Sequence, residues 1–329
     1  MSIVGAAVMS RLAAFSCRRD VLDSSFLILL PLHVGGPEPS GPMYTHWFLD
    51  PKTAAAIFAV TVLYLLWVGP LNRRRPGSDQ RPVTRAEIVK FLLGSLTALI
   101  ALGPPIDDWS YFFFSSAHMF QHLILILLST PLWIAGVPAW VYRPLVKNRV
   151  TNWVCSTLTH PVPAFLIANM LNAVWHLPVA YSLSLSSEFW HSVQHASFVL
   201  VGVMLWWPVM SKVPEWPRLT TPPLQALYLF LQCIPTGAIG ALLTYAGPLY
   251  PHYAEASVRP WGIDLRTDQE LAGLLMWVGM NTVLLIVITV IFLRWAIREE
   301  RQDRATLQAK AHRRSAKAAG TGASPAQKS

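Results

Sequence analysis

His118-Met119-Phe120-Gln121-His122 and His191-Ser192-Val193-Gln194-His195 repeat one pattern, His-x-x-Gln-His. Histidines four residues apart share a helix face, with about 6 Å between Cβ atoms, so both imidazoles of a pair can ligate one metal ion. A long apolar run follows each pair directly. The chemistry indicated is metal or haem ligation at the mouth of two membrane helices, because ionisable groups at membrane depth mark functional sites.

A third histidine segment, Trp175-His176-Leu177-Pro178, closes another apolar run. His118, His122, His176, His191 and His195 are therefore the candidate ligands, and His252 lies in a nearby connection. Gln121 and Gln194 precede the deeper histidines. There an amide either orients an imidazole or bonds to a neighbouring helix, and both readings stay open. Imidazole suits copper, zinc, iron and nickel, with copper the tightest divalent binder. Met119, Met276 and Met280 offer thioethers for Cu(I), or simple packing. Asp268 and Glu270 open the last apolar run, as carboxylate ligands or as helix-starting acids. Asp107 and Asp108, just before the first pair, either concentrate cations at the outer face or are simply solvated acids.

The elements that hold these residues follow from composition. The 329 residues are 53% hydrophobic and only 13% charged, about half the charge of a soluble domain. Apolar runs near 53–70, 87–104, 118–136, 162–179, 190–210, 222–246 and 270–297 predict an all-α polytopic membrane protein with about seven transmembrane helices. The run at 162–179 is the most interrupted, by Pro163, Asn169 and Asn172. Twenty of the 26 Lys and Arg fall in the 71–90, 137–160 and 211–221 connections and the C-terminal region from Arg294. Basic loops stay in the cytoplasm, so the expected topology is N-out and C-in, with all five candidate ligands at the outer face. The +9 net charge is thus a topology signal and does not point to nucleic acid.

Residues 1–43 read as a disordered leader, or as an extension preceding a true start at Met43. The core domain is expected over 44–298, and 299–329 as a disordered basic cytoplasmic tail beside anionic lipid. Cys17, Cys155 and Cys233 form no Cys-x-x-Cys pair and read as isolated thiols. Pro105 to His118 and Pro178 to His191 are both thirteen residues, a hint of duplicated hairpins.

His46-Trp47-Phe48-Leu49-Asp50-Pro51, the two His-x-x-Gln-His segments, Trp175-His176-Leu177-Pro178, Trp206-Trp207-Pro208 and Asp268-Gln269-Glu270-Leu271-Ala272-Gly273 with Met276-Trp277 occur in that order. As a set they resemble the CtaG family of multi-span assembly factors for caa-type cytochrome c oxidase, over about residues 44–298. The resemblance implies a non-enzymatic, multi-pass protein of the bacterial plasma membrane. Its partners would be terminal oxidase subunits and its cargo copper. Three rival readings remain: a haem protein ligated by His122 and His195, a zinc hydrolase using Asp268 or Glu188 as base, and a scaffold without metal.

Overall fold

The first two described helices begin where a short polar side chain meets an apolar run. In the computed structural model, which describes residues 49–71, 82–256 and 259–321, Asp50 accepts from the backbone of Lys52 and Thr53 at 3.3 and 2.8 Å and starts α1 (Pro51–Leu66). A Thr84–Glu87 capping box starts α2 (Arg85–Ala101). The expected leader, His46 and the basic stretch Arg73–Arg81 lie outside the described residues.

The chain continues through α3 (Ile106–Phe112), α4 (Ser115–Ile124), α5 (Thr130–Gly136), α6 (Arg143–Lys147) and α7 (Arg149–Leu158). Then follow α8 (Pro161–His176), α9 (Pro178–Ser186), α10 (Glu188–Met210) and α11 (Pro222–Tyr245). The last are α12 (Pro251–Ala254), α13 (Leu265–Leu274) and α14 (Met280–Thr321). Every regular element among the described residues is helical. Five helices are long and apolar enough to span a membrane alone, and the count reaches seven if two bent pairs, α2 with α3 and α7 with α8, each count as one. The protein is an all-α polytopic membrane protein.

Two boundaries differ from expectation. The interrupted fourth run does form a helix, because Asn169 Nδ2 donates to Phe165 O and to Gln232 Oε1 at 2.8 and 2.7 Å. It stops at His176, however, since Pro178 opens a separate helix. The tail expected to be disordered from 299 is instead helical to Thr321. Its strong helix formers and an Arg304–Glu300 pair at 2.6 Å, one turn apart, favour that state. Residues 322–329 lie outside the described residues.

The two histidine-bearing spans are the most enclosed. Of their apolar stretches, 61% is buried in Ser115–Gly136 and 50% in Phe189–Met210, against 11% in Pro51–Leu71. Each is preceded by a short helix, α3 or α9, that begins at or just after a proline. Helix α4 packs on α13, and α10 packs on α5 and α8.

Wide π-helical turns occupy Leu125–Ser129, directly after α4, and Leu275–Gly279, between α13 and α14. Such turns disturb the backbone ladder and cluster at functional sites. Around the first, Thr130 Oγ1 donates to Leu125 O and Trp206 Nε1 to Ile126 O, both at 2.8 Å. The tryptophan of the Trp206-Trp207-Pro208 segment therefore satisfies a carbonyl beside the histidine helix.

Close approach fixes α13 against α11. A Cβ on Gly273 would lie 2.6 Å from Thr244 N and 2.7 Å from Gly240 O, where neither backbone can yield easily. Gly273→Ala is expected to cost about 1–3 kcal/mol through overpacking. Gly247→Ala, with nothing within 4 Å of the new Cβ, should leave thermal stability in detergent nearly unchanged. Equal melting of the two variants would contradict this packing.

Candidate metal centre

Helix α4 carries His118 and His122, and α10 carries His191 and His195, so one apolar-backed face of each helix presents two imidazoles. Within each helix the ring centroids are 4.3 Å apart for His118–His122 and 4.5 Å for His191–His195. Between helices they are 5.7 Å for His118–His191, 6.0 Å for His118–His195 and 5.8 Å for His122–His195. One ring nitrogen from each of His118, His122 and His195 lies within 4.8 Å of the others. Donors at 2.0 Å from a tetrahedral ion sit about 3.3 Å apart, so side-chain rotations of about 1 Å would close that set.

Burial sharpens the chemistry. His118, His122 and His191 are 0%, 3% and 1% exposed, and His195 is partly buried. Both ring nitrogens of His122 are buried with no hydrogen-bond partner among the described residues. An unsatisfied buried polar group costs about 1–3 kcal/mol, and a native protein seldom retains one without a reason. A bound cation is such a reason, and the donor set fits copper or zinc.

The centre is roofed. Helices α3 and α9 and the segment around α12 fold over the starts of α4 and α10. Tyr181 packs 5.1 Å from His118 and Tyr111 stacks 5.7 Å from His191. Tyr181 and Tyr253 share a hydroxyl hydrogen bond of 2.8 Å, and Tyr253 also lies 2.7 Å from Ser110 O. Phe198 stacks 3.8 Å from His122 on the other side.

Four of the five candidate ligands come together. His176 stands apart: its Nδ1 is 2.6 Å from Asn172 O and its Nε2 is 3.3 Å from Met119 Sδ. Pro178 ends α8 just past His176, so this ring reaches the thioether rather than the four imidazoles. His252 is one layer out, with Nε2 2.8 Å from the carbonyl of Tyr111. Met119 and Met276 are buried beyond His122, toward His176.

Acids offered as ligands have other tasks. Asp268 accepts from the backbone N–H and hydroxyl of both Ser115 and Ser116, at 2.5–3.1 Å. It caps α4 from a neighbouring helix, while Asp264 caps α13 itself. With both oxygens engaged, Asp268 is a positioning residue for the His118–His122 helix. Glu270 pairs with Arg266 at 2.8 Å on an exposed face. Asp107 and Asp108, expected to be solvated, are 5% and 4% exposed, because α3 tucks under the bend after α2. Asp107 Oδ1 accepts from Gln121 Nε2 at 2.7 Å, so Gln121 bonds across helices rather than to an imidazole. Gln194 is fully buried beside His118.

With this geometry in view, residues 62–298 match the family described as cytochrome c oxidase caa3 assembly factor. The chain belongs to that family. The match includes all four clustered histidines and their roof. Uncharacterized proteins of Mycobacterium bovis and Mycobacterium tuberculosis are 22% identical over 299 residues, covering 84% of this chain and 43% of theirs. One from Mycobacterium leprae is 22% identical over 275 residues, covering 78% and 40%. The chain thus spans less than half the length of these relatives. No solved structure matches it.

The roof of this assembly-factor family member was not foreseen from sequence. Tyr111, Tyr181 and Tyr253 lie in three separate segments, and no spacing links them. Tyr253→Phe removes both hydroxyl bonds by which Tyr253 ties Tyr181 to Ser110 O. It is expected to speed metal release several-fold, read by chelator competition, while leaving equilibrium affinity within about threefold because no ligand is lost. An unchanged release rate would mean that the tyrosine bridge does not control access.

Proposed function

We propose that this protein carries copper for the assembly of a caa-type cytochrome c oxidase in the bacterial plasma membrane, acting as a non-enzymatic accessory factor. The observation that supports this most is the convergence of four imidazoles from two membrane helices in a buried site. An all-imidazole set binds copper without the closed thiolate cage that would trap it, which suits a protein that must pass its cargo to an oxidase subunit. The positive-inside pattern supports an N-out, C-in orientation with the centre toward the outer face. Copper would then enter from outside past the tyrosine roof and leave laterally.

The crowding of the rings favours a small ion over a porphyrin. His118 stands 4.3 Å from His122 and 6.0 Å from His195, in the space a haem between those two would need. The commitment of Asp268 to capping likewise weighs against a hydrolase that would use it as base.

The test is cellular. Cells carrying His118→Ala should assemble oxidase with a several-fold loss of activity in copper-limited medium, and excess copper should restore part of it. Full oxidase activity under copper limitation would contradict the copper reading and leave a scaffold.

A further inference from the structure

Beyond His122, away from the other three imidazoles, lies a cavity of about 20 Å³ bordered by His122, His176, Met119, Met276 and Met280. That volume accepts one water-sized body, and a bare copper ion is smaller. Leu123, Ile126, Asn172 and Phe198 complete the lining, and the three methionines bring to it the soft donor type that Cu(I) prefers.

Hydrogen-bond chemistry singles out His176. Its Nδ1 is 2.6 Å from the carbonyl oxygen of Asn172, which can only accept, so Nδ1 carries the proton. In the neutral ring Nε2 then holds a lone pair, and it faces the Met119 sulfur at 3.3 Å. Thioether sulfur has no proton to donate either. Two lone pairs in contact repel unless a cation lies between them. Ligands of one tetrahedral ion, with bonds of about 2.0 Å to nitrogen and 2.3 Å to sulfur, sit about 3.5 Å apart. A ligating histidine characteristically donates its other N–H to a backbone carbonyl, as His176 does.

We propose that this cavity is a second metal station, specific for a soft monovalent ion, Cu(I), held by His176 Nε2 and the thioethers of Met119, Met276 and Met280. Met276 lies within the π-helical turn Leu275–Gly279 and Met280 directly follows it, and both line the cavity. The set is soft, unlike the four imidazoles, and so discriminates by ion class: thioethers hold Cu(I) and refuse Zn(II). His122 borders both stations, which gives an ion a path of one ligand exchange between them. The identity of the natural ion rests on the copper reading; the existence of the thioether station does not.

The experiment uses the purified full chain in detergent, with Cys17, Cys155 and Cys233 replaced by alanine to remove competing thiols. Ag(I) serves as a redox-inert probe of the thioether station and Zn(II) as a probe of the imidazole cluster. The Met119→Leu, Met276→Leu, Met280→Leu variant is expected to bind Ag(I) at least about a hundredfold more weakly, to lose silver–sulfur scattering in X-ray absorption, and to keep Zn(II). His118→Ala with His191→Ala should do the reverse. Met to Leu conserves volume, so the fold should persist, and the single Met280→Leu variant should already weaken Ag(I) about tenfold. Silver–sulfur scattering that survives the triple change, or is absent from the parent protein, overturns the thioether station. Loss of Ag(I) with no Zn(II) binding in any form supports it and overturns the imidazole cluster instead.

Discussion

The His122→Ala, His195→Ala variant is expected to bind copper at least about a hundredfold more weakly than the parent protein, exceeding the effect usual for loss of an outer partner of a metal ligand. These two residues supply one ligand from each helix of the converging trio. The remaining pair, His118 and His191, has ring centroids 5.7 Å apart and stacked at 12°. Stacked rings direct their nitrogens edgewise, and cannot both aim them at one ion between them. The variant should stay folded, because deleting the buried His122 imidazole, whose two nitrogens have no hydrogen-bond partner, removes a cost along with the packing, and His195 is only partly buried. His252→Ala is the matched control. Its ring is bonded to Tyr111 O, outside the cluster, so copper affinity should change by less than about threefold. Isothermal titration in detergent reads both. A pure scaffold predicts no difference between them.

The second large effect concerns the cap. Asp268→Ala is expected to lower stability by about 3 kcal/mol or more, above the usual 0.5–2 kcal/mol for an N-cap. Four donors lose their acceptor: two on Ser115 in a buried place where water cannot readily replace it, and two on Ser116 that are partly buried. Because the cap lies on α13 and the capped helix is α4, the loss also loosens the packing that sets the height of His118. Asp268→Asn keeps the shape but gives up the charge and turns one acceptor into a donor facing other donors. It should sit between parent and Asp268→Ala in thermal melting, with copper affinity reduced in the same order. Asp264→Ala removes an exposed local cap and should cost about 1 kcal/mol with no change in affinity. If Asp268→Ala and Asp264→Ala melt alike, the cross-helix cap does not hold the site.

What was legible in the sequence follows from its periodicities. The i,i+4 histidines had to share a helix face, and two such faces in successive antiparallel hairpins had to meet somewhere if each was too polar for lipid. Run length and loop charge located the spans. What stayed hidden were contacts between distant segments. Asp268 looks like a local first-turn acid, and nothing within ten residues of it reveals that Ser115 and Ser116 are its partners. Asp107 looks solvated until α3 folds beneath the bend that follows α2. His176 shares the composition of the other ligands, yet one proline decides where its helix stops and hence which neighbour it meets. The π-helical turns, which aim Met276 and free the Ile126 carbonyl for Trp206, arise from packing and have no composition signature.

Copper-edge X-ray absorption of the protein loaded with one equivalent of Cu(II) tests the central claim most directly. Three or four imidazole nitrogens at about 2.0 Å are predicted, with at least one lost in His118→Ala and two in His122→Ala with His195→Ala. A shell of water oxygens, or a nitrogen shell unchanged by these substitutions, would contradict a copper centre built from the two His-x-x-Gln-His helices.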